Sequence, residues 1–542
     1  MSYISIGPEY TGSKACYLSI ECMSAIIRFL AVLSSAIGLV GYAEDLKQEK
    51  LVIAHYMTDM LPRTEWPLNR WIDPELSDPN GSTSEVGGLQ QTVPMASLYL
   101  KGADLEQAVD FEIRAARQLG VDGFQFFYPL GENTKMLSKR YNETIREFIR
   151  LSETRYPGFR VSVCLCSPNT VEPTTQMQRV ALWGAPLGEL MEGTEKSAAW
   201  LRSEDGNILF FLWVADALAE SVSHRANTPD QIREVGAAYQ QLADTAGVPI
   251  DYVYQIRRFD DDPPYLDAIL ETFSAVWGWT SSEENEAFWD HVAQRCHETG
   301  TTYTQSVYPD YYTSKTYSRD GNHEFLSVEK ALASGPSNNE RHYRVTNLTG
   351  VQVSLLERAR ERDAALINYI TWNDYPEGHH LAPEMAHRFG PALLLRHFKE
   401  AWISSDVAVK RDEAVVFYKL YRHELTPDNS FPIFIKSANH DEASEDRIEL
   451  VTFLTEPAEC FLNEHSLGVV QSGLQIHSIP SEVGPIRVRV VRDGNSVIEF
   501  EAPTPITDSP LRTDRLTYSF SSAFDREMSL LFPEKTGDGK KP

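Results

Sequence analysis

The chain has 542 residues, 42% of them apolar, and a formal net charge of −27. That length exceeds the roughly 250–300 residues at which a single hydrophobic core stops growing, so two domains are expected. Basic residues are scattered, and 50 Lys and Arg face 77 Asp and Glu, which argues against nucleic acid and against an anionic membrane surface and favours a neutral ligand.

From Met23, an alternative start, the stretch MSAIIRFLAVLSSAIGLVGYAED carries an early positive charge at Arg28, an apolar run from Phe29 to Val40 and small residues at Gly41 and Ala43. This is the layout of a secretory signal peptide over residues 1–43, so a secreted or periplasmic protein is expected. The apolar run is shorter than the ~20 residues a membrane span requires, so no stable membrane insertion is expected. Four cysteines follow it, and Cys164 and Cys166 share one face of the strand-like RVSVCLC, which predicts buried thiols and no disulfide framework.

Between about 50 and 405, short β-branched or aromatic runs alternate with longer amphipathic stretches. Strands are predicted over 51–57 (LVIAHYM), 121–128 (VDGFQFFY), 159–166, 207–214, 251–257, 273–280, 301–308 and 365–372 (ALINYITW). Helical patterns such as DLEQAVDFEIRAARQLG and EENEAFWDHVAQRCHETG lie between them, each closing on a glycine stop signal. Eight strand-helix repeats predict an α/β fold, a parallel (β/α)8 TIM barrel spanning 44–408. Beyond it, EAVVFYKLYR, RIELVTFLT, AECFLNEHS and IRVRVVRDGNSVIEFEA alternate without helical spacers, which predicts an all-β sandwich over 409–530 and leaves the polar 531–542 as a disordered tail.

In such a barrel the site lies at the C-terminal ends of the strands. Around that mouth the sequence places His55 and Asp59, Gln125 and Tyr128, Trp213, Trp277 and Trp279, Tyr308 and Tyr311, and finally the stretch YITWNDYPEGHH. Aromatic faces flanked by hydrogen-bonding groups suit sugar rings, and glycoside hydrolysis needs two carboxyl groups. Asp374 and Glu377 provide such a pair, and a carboxyl framed by Trp372, Tyr375 and Pro376 is open to desolvation and a raised pKa. The expected substrate-binding residues are His55, Gln125, Tyr128, Trp277, Trp279, Tyr308, Trp372, Asn373, Tyr375 and His379. Adjacent His379 and His380 lack a spaced third ligand, so no metal is expected, and neither a nucleophile elbow nor an HExxH pattern is present. The spacing of the pair leaves the stereochemistry of the reaction open.

ITWNDYPEGHHLAP resembles the WNDYGES stretch of glycoside hydrolase family 71, the α-1,3-glucanases or mutanases. VIAHYM, GVDGFQFFY, YTQSVYPDYY and, after residue 410, FLTEPAECFLNEHSLG and VRVVRDGNSV resemble further stretches of that family. The resemblance implies a secreted barrel with an appended β-sandwich that hydrolyses α-1,3-glucan with inversion and without a cofactor. It carries the catalytic pair onto Asp374 and Glu377, with Glu377 expected as acid and Asp374 as base. A monomer acting on a polysaccharide is expected. Two departures leave other readings open. Pro-Glu-Gly replaces Gly-Glu-Ser and is closer to the NEWHEG-like stretch of family 99 endo-α-mannosidases; Phe127 and Thr280 stand where family 71 has Asn and Asp. An α-mannan hydrolase and a non-catalytic carbohydrate-binding protein are the alternatives.

Overall fold

A computed structural model describes residues 49–62, 74–81, 83–84, 87–100, 102–129, 134–166, 175–259, 262–280, 284–321, 324–404, 408–427, 431–438 and 440–533. The expected signal peptide and the tail from 534 onward lie outside the described residues. All eight predicted barrel strands form: Leu51–Tyr56, Gly123–Pro129, Arg160–Cys166, Ile208–Trp213, Ile250–Gln255, Ala275–Trp277, Thr302–Val307 and Leu366–Tyr369. They pair in parallel and close, the first strand meeting the eighth in the register Leu51↔Leu366 to Ala54↔Tyr369.

The strands are apolar throughout because both faces are covered. Side chains alternate across each strand. Leu51, Ile53, Cys164, Phe211, Val253 and Trp277 fill the barrel, while Val52, Ala54, Tyr56, Phe124 and Phe126 pack outward under the helices. The helices begin and end where their caps dictate. Asp104 and Gln107 form a reciprocal capping box on Leu105–Gln118, and Gly300, at φ 75°, closes Glu286–Thr299 in the left-handed conformation that glycine adopts at no steric cost. Among the described residues no helix is long and apolar enough to cross a membrane. The four described cysteines are buried free thiols, with Cys164 and Cys166 Sγ 3.8 Å apart.

The C-terminal strands make two four-stranded antiparallel sheets. Gly473–Pro480, Arg447–Leu454, Glu413–Tyr418 and Tyr518–Ser521 form one; His465–Val470, Ala458–Leu462, Arg487–Arg492 and Asn495–Glu501 form the other. Val416, Leu450, Cys460, Val488 and Val490 lie in the core they share.

Barrel and sandwich belong to one compact unit, and three features join them. Ile433–Ala438 pairs in parallel with Asn339–Val345, which pairs antiparallel with Tyr317–Ser318. Asp310, just past the seventh strand, accepts the Thr517 N–H and lies 3.6 Å from the Lys419 ammonium. Phe524–Leu531, expected as the end of the sandwich, is instead a helix that returns to the barrel, where Glu527 binds Arg396 at 3.0 Å and accepts from Gln118 at 2.6 Å.

Candidate active site

The eighth strand ends at Tyr369, and the chain then turns through a short 3-10 helix, Tyr375–Glu377, with Pro376 in its first turn and Gly378 closing it at φ 74°. Several bonds fix this turn. Trp372 N–H donates to the His55 carbonyl at 2.7 Å, the Asn373 side chain accepts from Met57 N–H at 2.7 Å and donates back to its carbonyl, and Asp374 N–H donates to Thr371 Oγ1 at 2.9 Å. The loop after the seventh strand is stapled to the same turn: Thr313 Oγ1 donates to the Pro376 carbonyl at 3.1 Å and Ser314 N–H donates to the same oxygen. That stapling delivers Lys315.

Lys315 Nζ lies 2.8 Å from Glu377 Oε1 and 3.7 Å from Asp374 Oδ2. His379 Nε2 lies 2.9 Å from the other Glu377 oxygen, Oε2. Asp374, Glu377 and His379 bring one polar atom each within 4.8 Å of one another. Only 6% of the Asp374 side chain is exposed, against 20% for Glu377.

Their surroundings push the two carboxyls in opposite directions. Burial is the largest effect on Asp374 and raises its pKa, with the Glu377 charge adding to it and Lys315 only partly opposing. Its Oδ1 is buried and, among the described residues, accepts no hydrogen bond, which favours the protonated form. Burial would raise Glu377 too, but Lys315 and the His379 hydrogen bond outweigh it and hold Glu377 well below the usual carboxylate range. Burial would lower Lys315, yet its two carboxylates keep it charged and above its ordinary range.

The aromatic wall is partly the expected one. Trp279 packs edge-on to His55 at 5.2 Å and to His379 at 6.0 Å, with Trp213 at 5.7 Å. His55, 2% exposed, sits edge-on to Phe127, and burial lowers its pKa to about 3, so it is neutral. Gln125 lies beneath, donating to Asn368 at 2.6 Å.

Five expected substrate contacts are displaced. Tyr128 points outward and donates to Asn142 at 3.0 Å, because alternation from the inward Gln125 puts Phe127, not Tyr128, inside. Trp277 is fully buried beneath Trp279, its Nε1–H on the Leu212 carbonyl. Tyr308 lies in the core between barrel and helices. Trp372 points to the helix side, where its Nε1–H binds the buried Glu112, whose pKa burial raises to about 8. Tyr375 turns away onto the His380 ring at 4.8 Å. Asn373, 1% exposed, is a clamp on the first strand. Tyr311, expected at the mouth, faces His379 at 5.6 Å, and two residues without a sequence signal stand beside it: Lys315, and Lys436, whose Nζ is 5.8 Å over the Tyr311 ring. An isolated lysine in a polar loop gives no signal in a single sequence.

Two groups near the turn have donor sets that could hold a cation. In Asp374, Glu377 and His379 the Lys315 ammonium already supplies the positive charge. His380, Glu384 and His387, all buried, form the other group on the far side of the turn.

Gly378 is required by geometry as well as by φ. A Cβ there would lie 2.6 Å from the Tyr312 carbonyl oxygen and 2.9 Å from Leu516 of the C-terminal module. Gly378→Ala is therefore expected to displace the turn, with destabilisation of roughly 1–3 kcal/mol and a larger fractional loss of turnover than of melting temperature, read by calorimetry beside a rate assay.

No family model and no curated protein sequence matches the chain. Solved structures similar to it include a GH99 endo-α-mannosidase from Bacteroides thetaiotaomicron, at 13% identity and a TM-score of 0.42 over 65% of this chain and 98% of that one. Another is a glycosyl hydrolase family 2 member from Bacteroides cellulosilyticus, at 11% identity and a TM-score of 0.41 over 84% of this chain and 46% of that one. A third, GH5_18 from Streptomyces cattleya, has 11% identity and a TM-score of 0.35 over 65% of this chain and 81% of that one. Likenesses of this extent leave the reaction to be argued from the site's own chemistry.

Proposed function

We propose that the chain is an exported, endo-acting glycoside hydrolase of an α-linked polysaccharide, with α-1,3-glucan as first candidate and α-mannan as second. One observation carries this reading: a carboxyl pair at the barrel mouth, Asp374 buried and Glu377 partly exposed, with one oxygen of each within 4.8 Å and proton affinities driven apart. Pairs of titratable groups separated in this way mark acid and base assignments. The partly exposed Trp279 and Trp213 supply faces on which sugar rings stack.

The electrostatics favour the reverse of the expected roles. Asp374, whose proton affinity burial raises, donates its proton to the glycosidic oxygen as the bond to the anomeric carbon breaks. Glu377, ionised beside Lys315 and His379, meets the positive charge that develops there. An inverting pair spans ~6.5–9.5 Å to admit a water and a retaining pair only ~5–5.5 Å, and the approach of one oxygen of each carboxyl within 4.8 Å supports retention over the inversion expected from the resemblance. On this reading Glu377 attacks the anomeric carbon to form a glycosyl ester. Asp374, now a carboxylate, then takes a proton from the water that hydrolyses that ester, and two inversions give net retention.

Incubation with α-1,3-glucan and with yeast α-mannan, followed by assay of new reducing ends, tests the reading. Product from either polymer supports it; binding without product favours the carbohydrate-binding alternative.

A further inference from the structure

The three-stranded sheet that joins barrel and sandwich has one face turned inward and one turned toward the catalytic turn. Along Asn339–Val345, Arg341, Tyr343 and Val345 are buried in the core, and alternation gives the other face to His342 and Arg344. Opposite His342 stands Phe434. The register then slips between Ile435 and Ser437, leaving Lys436 as the extra residue of a β-bulge. A bulge re-aims a side chain, and here Lys436 Nζ comes over the Tyr311 ring, which faces His379 and through it Glu377. Tyr317, from the third strand and two residues past Lys315, stacks flat on His342 at 4.1 Å with planes 5° apart, and Phe325 lies 6.0 Å beyond it. Phe434 and Phe325 are each 48% exposed.

Two sets of rings therefore lie on this side, His379 and Tyr311 against Glu377 and the packed Tyr317, His342, Phe434 and Phe325 reaching the surface, with Lys436 over Tyr311 between them, and the C-terminal module supplies part of the second set. We infer that this face is a binding platform for the stretch of polysaccharide beyond the bond being cleaved, with Phe434 and Phe325 as stacking surfaces and Lys436 as a donor to sugar hydroxyls. This rests on the glycosidase reading and assigns the appended module a share in substrate recognition. Proximity to Glu377 sets the occupant: Lys315, bound to Glu377, lies two residues before Tyr317, so a chain held at the turn has its next sugars toward these rings. Exposed rings alternating with a cation match amphipathic pyranose faces and their hydroxyl rims.

The test uses the full chain with Asp374→Asn to block cleavage, run through gels containing soluble α-glucan or α-mannan. Adding Phe434→Ala or Lys436→Ala should weaken retardation by on the order of tenfold, and Phe434→Tyr should restore it. In the active chain, Phe434→Ala should lower the ratio of polymer to disaccharide kcat/KM by a similar factor, with the melting temperature confirming the fold. Undiminished retardation together with an unchanged ratio overturns the platform while leaving the hydrolase reading standing. A wild-type chain that neither binds nor cleaves any of these polymers overturns the hydrolase reading and the platform with it.

Discussion

Asp374→Asn is expected to lower turnover on a susceptible α-glycan by ~10²–10⁴-fold, the range a positioned acid or base contributes, while the chain still melts cooperatively. The substitution keeps the shape of the side chain and removes its proton. Asp374 Oδ1 has no hydrogen-bond partner among the described residues and the backbone contact to Thr371 does not involve the carboxyl, so the fold loses little. Glu377→Gln should cost a comparable factor for a different reason: the amide can neither carry the charge that Lys315 and His379 stabilise nor bond covalently to the anomeric carbon. Because the two groups act as a unit, the double variant should be little worse than either single one. Near-normal turnover in either variant would remove that residue from the reaction.

Lys315→Met should lower kcat by about 10–100-fold and shift the pH profile in a direction fixed by the site. Glu377 must be ionised to act, and the ammonium 2.8 Å away is a principal reason that it is. Without it, burial pushes the Glu377 pKa up, so protonated, inactive enzyme persists to higher pH. The acidic limb of kcat/KM therefore moves to higher pH in Lys315→Met. The alkaline limb, set by loss of the Asp374 proton, also moves up, because Lys315 lowers Asp374 as well. A profile identical to that of the wild type, measured on the same glycan, would show that Lys315 does not tune the pair.

The barrel was legible because its strands are buried on both faces and so read as unbroken apolar runs; LVIAHY and ILFFLW need no partner to be recognised. The candidate carboxyl pair was legible because carboxylates directly after such a run are out of place. Phase was not. Tyr128 and Phe127 are adjacent, and only pairing of the second strand with its neighbours decides which of them faces the barrel interior. Trp372 looked like part of the aromatic frame, but the chain bends after Tyr369, and its indole N–H finds Glu112 on the helix side. Lys315 and Lys436 were invisible for a further reason. Each reaches the site through a long-range constraint, the stapling of Thr313 and Ser314 to Pro376 and the parallel pairing of Ile433–Ala438 with Asn339–Val345, which no local pattern records. The roles of the two carboxyls likewise depend on who stands beside them.

The central claim is that this closely spaced pair performs acid and nucleophile chemistry on an α-linked glycan. Proton NMR of the first anomer released from α-1,3-glucan or α-mannan tests it most directly. Retention releases α-configured reducing ends at the earliest times, with β-anomer growing in only by mutarotation. Initial release of the β-anomer would overturn retention and point to a single displacement by water.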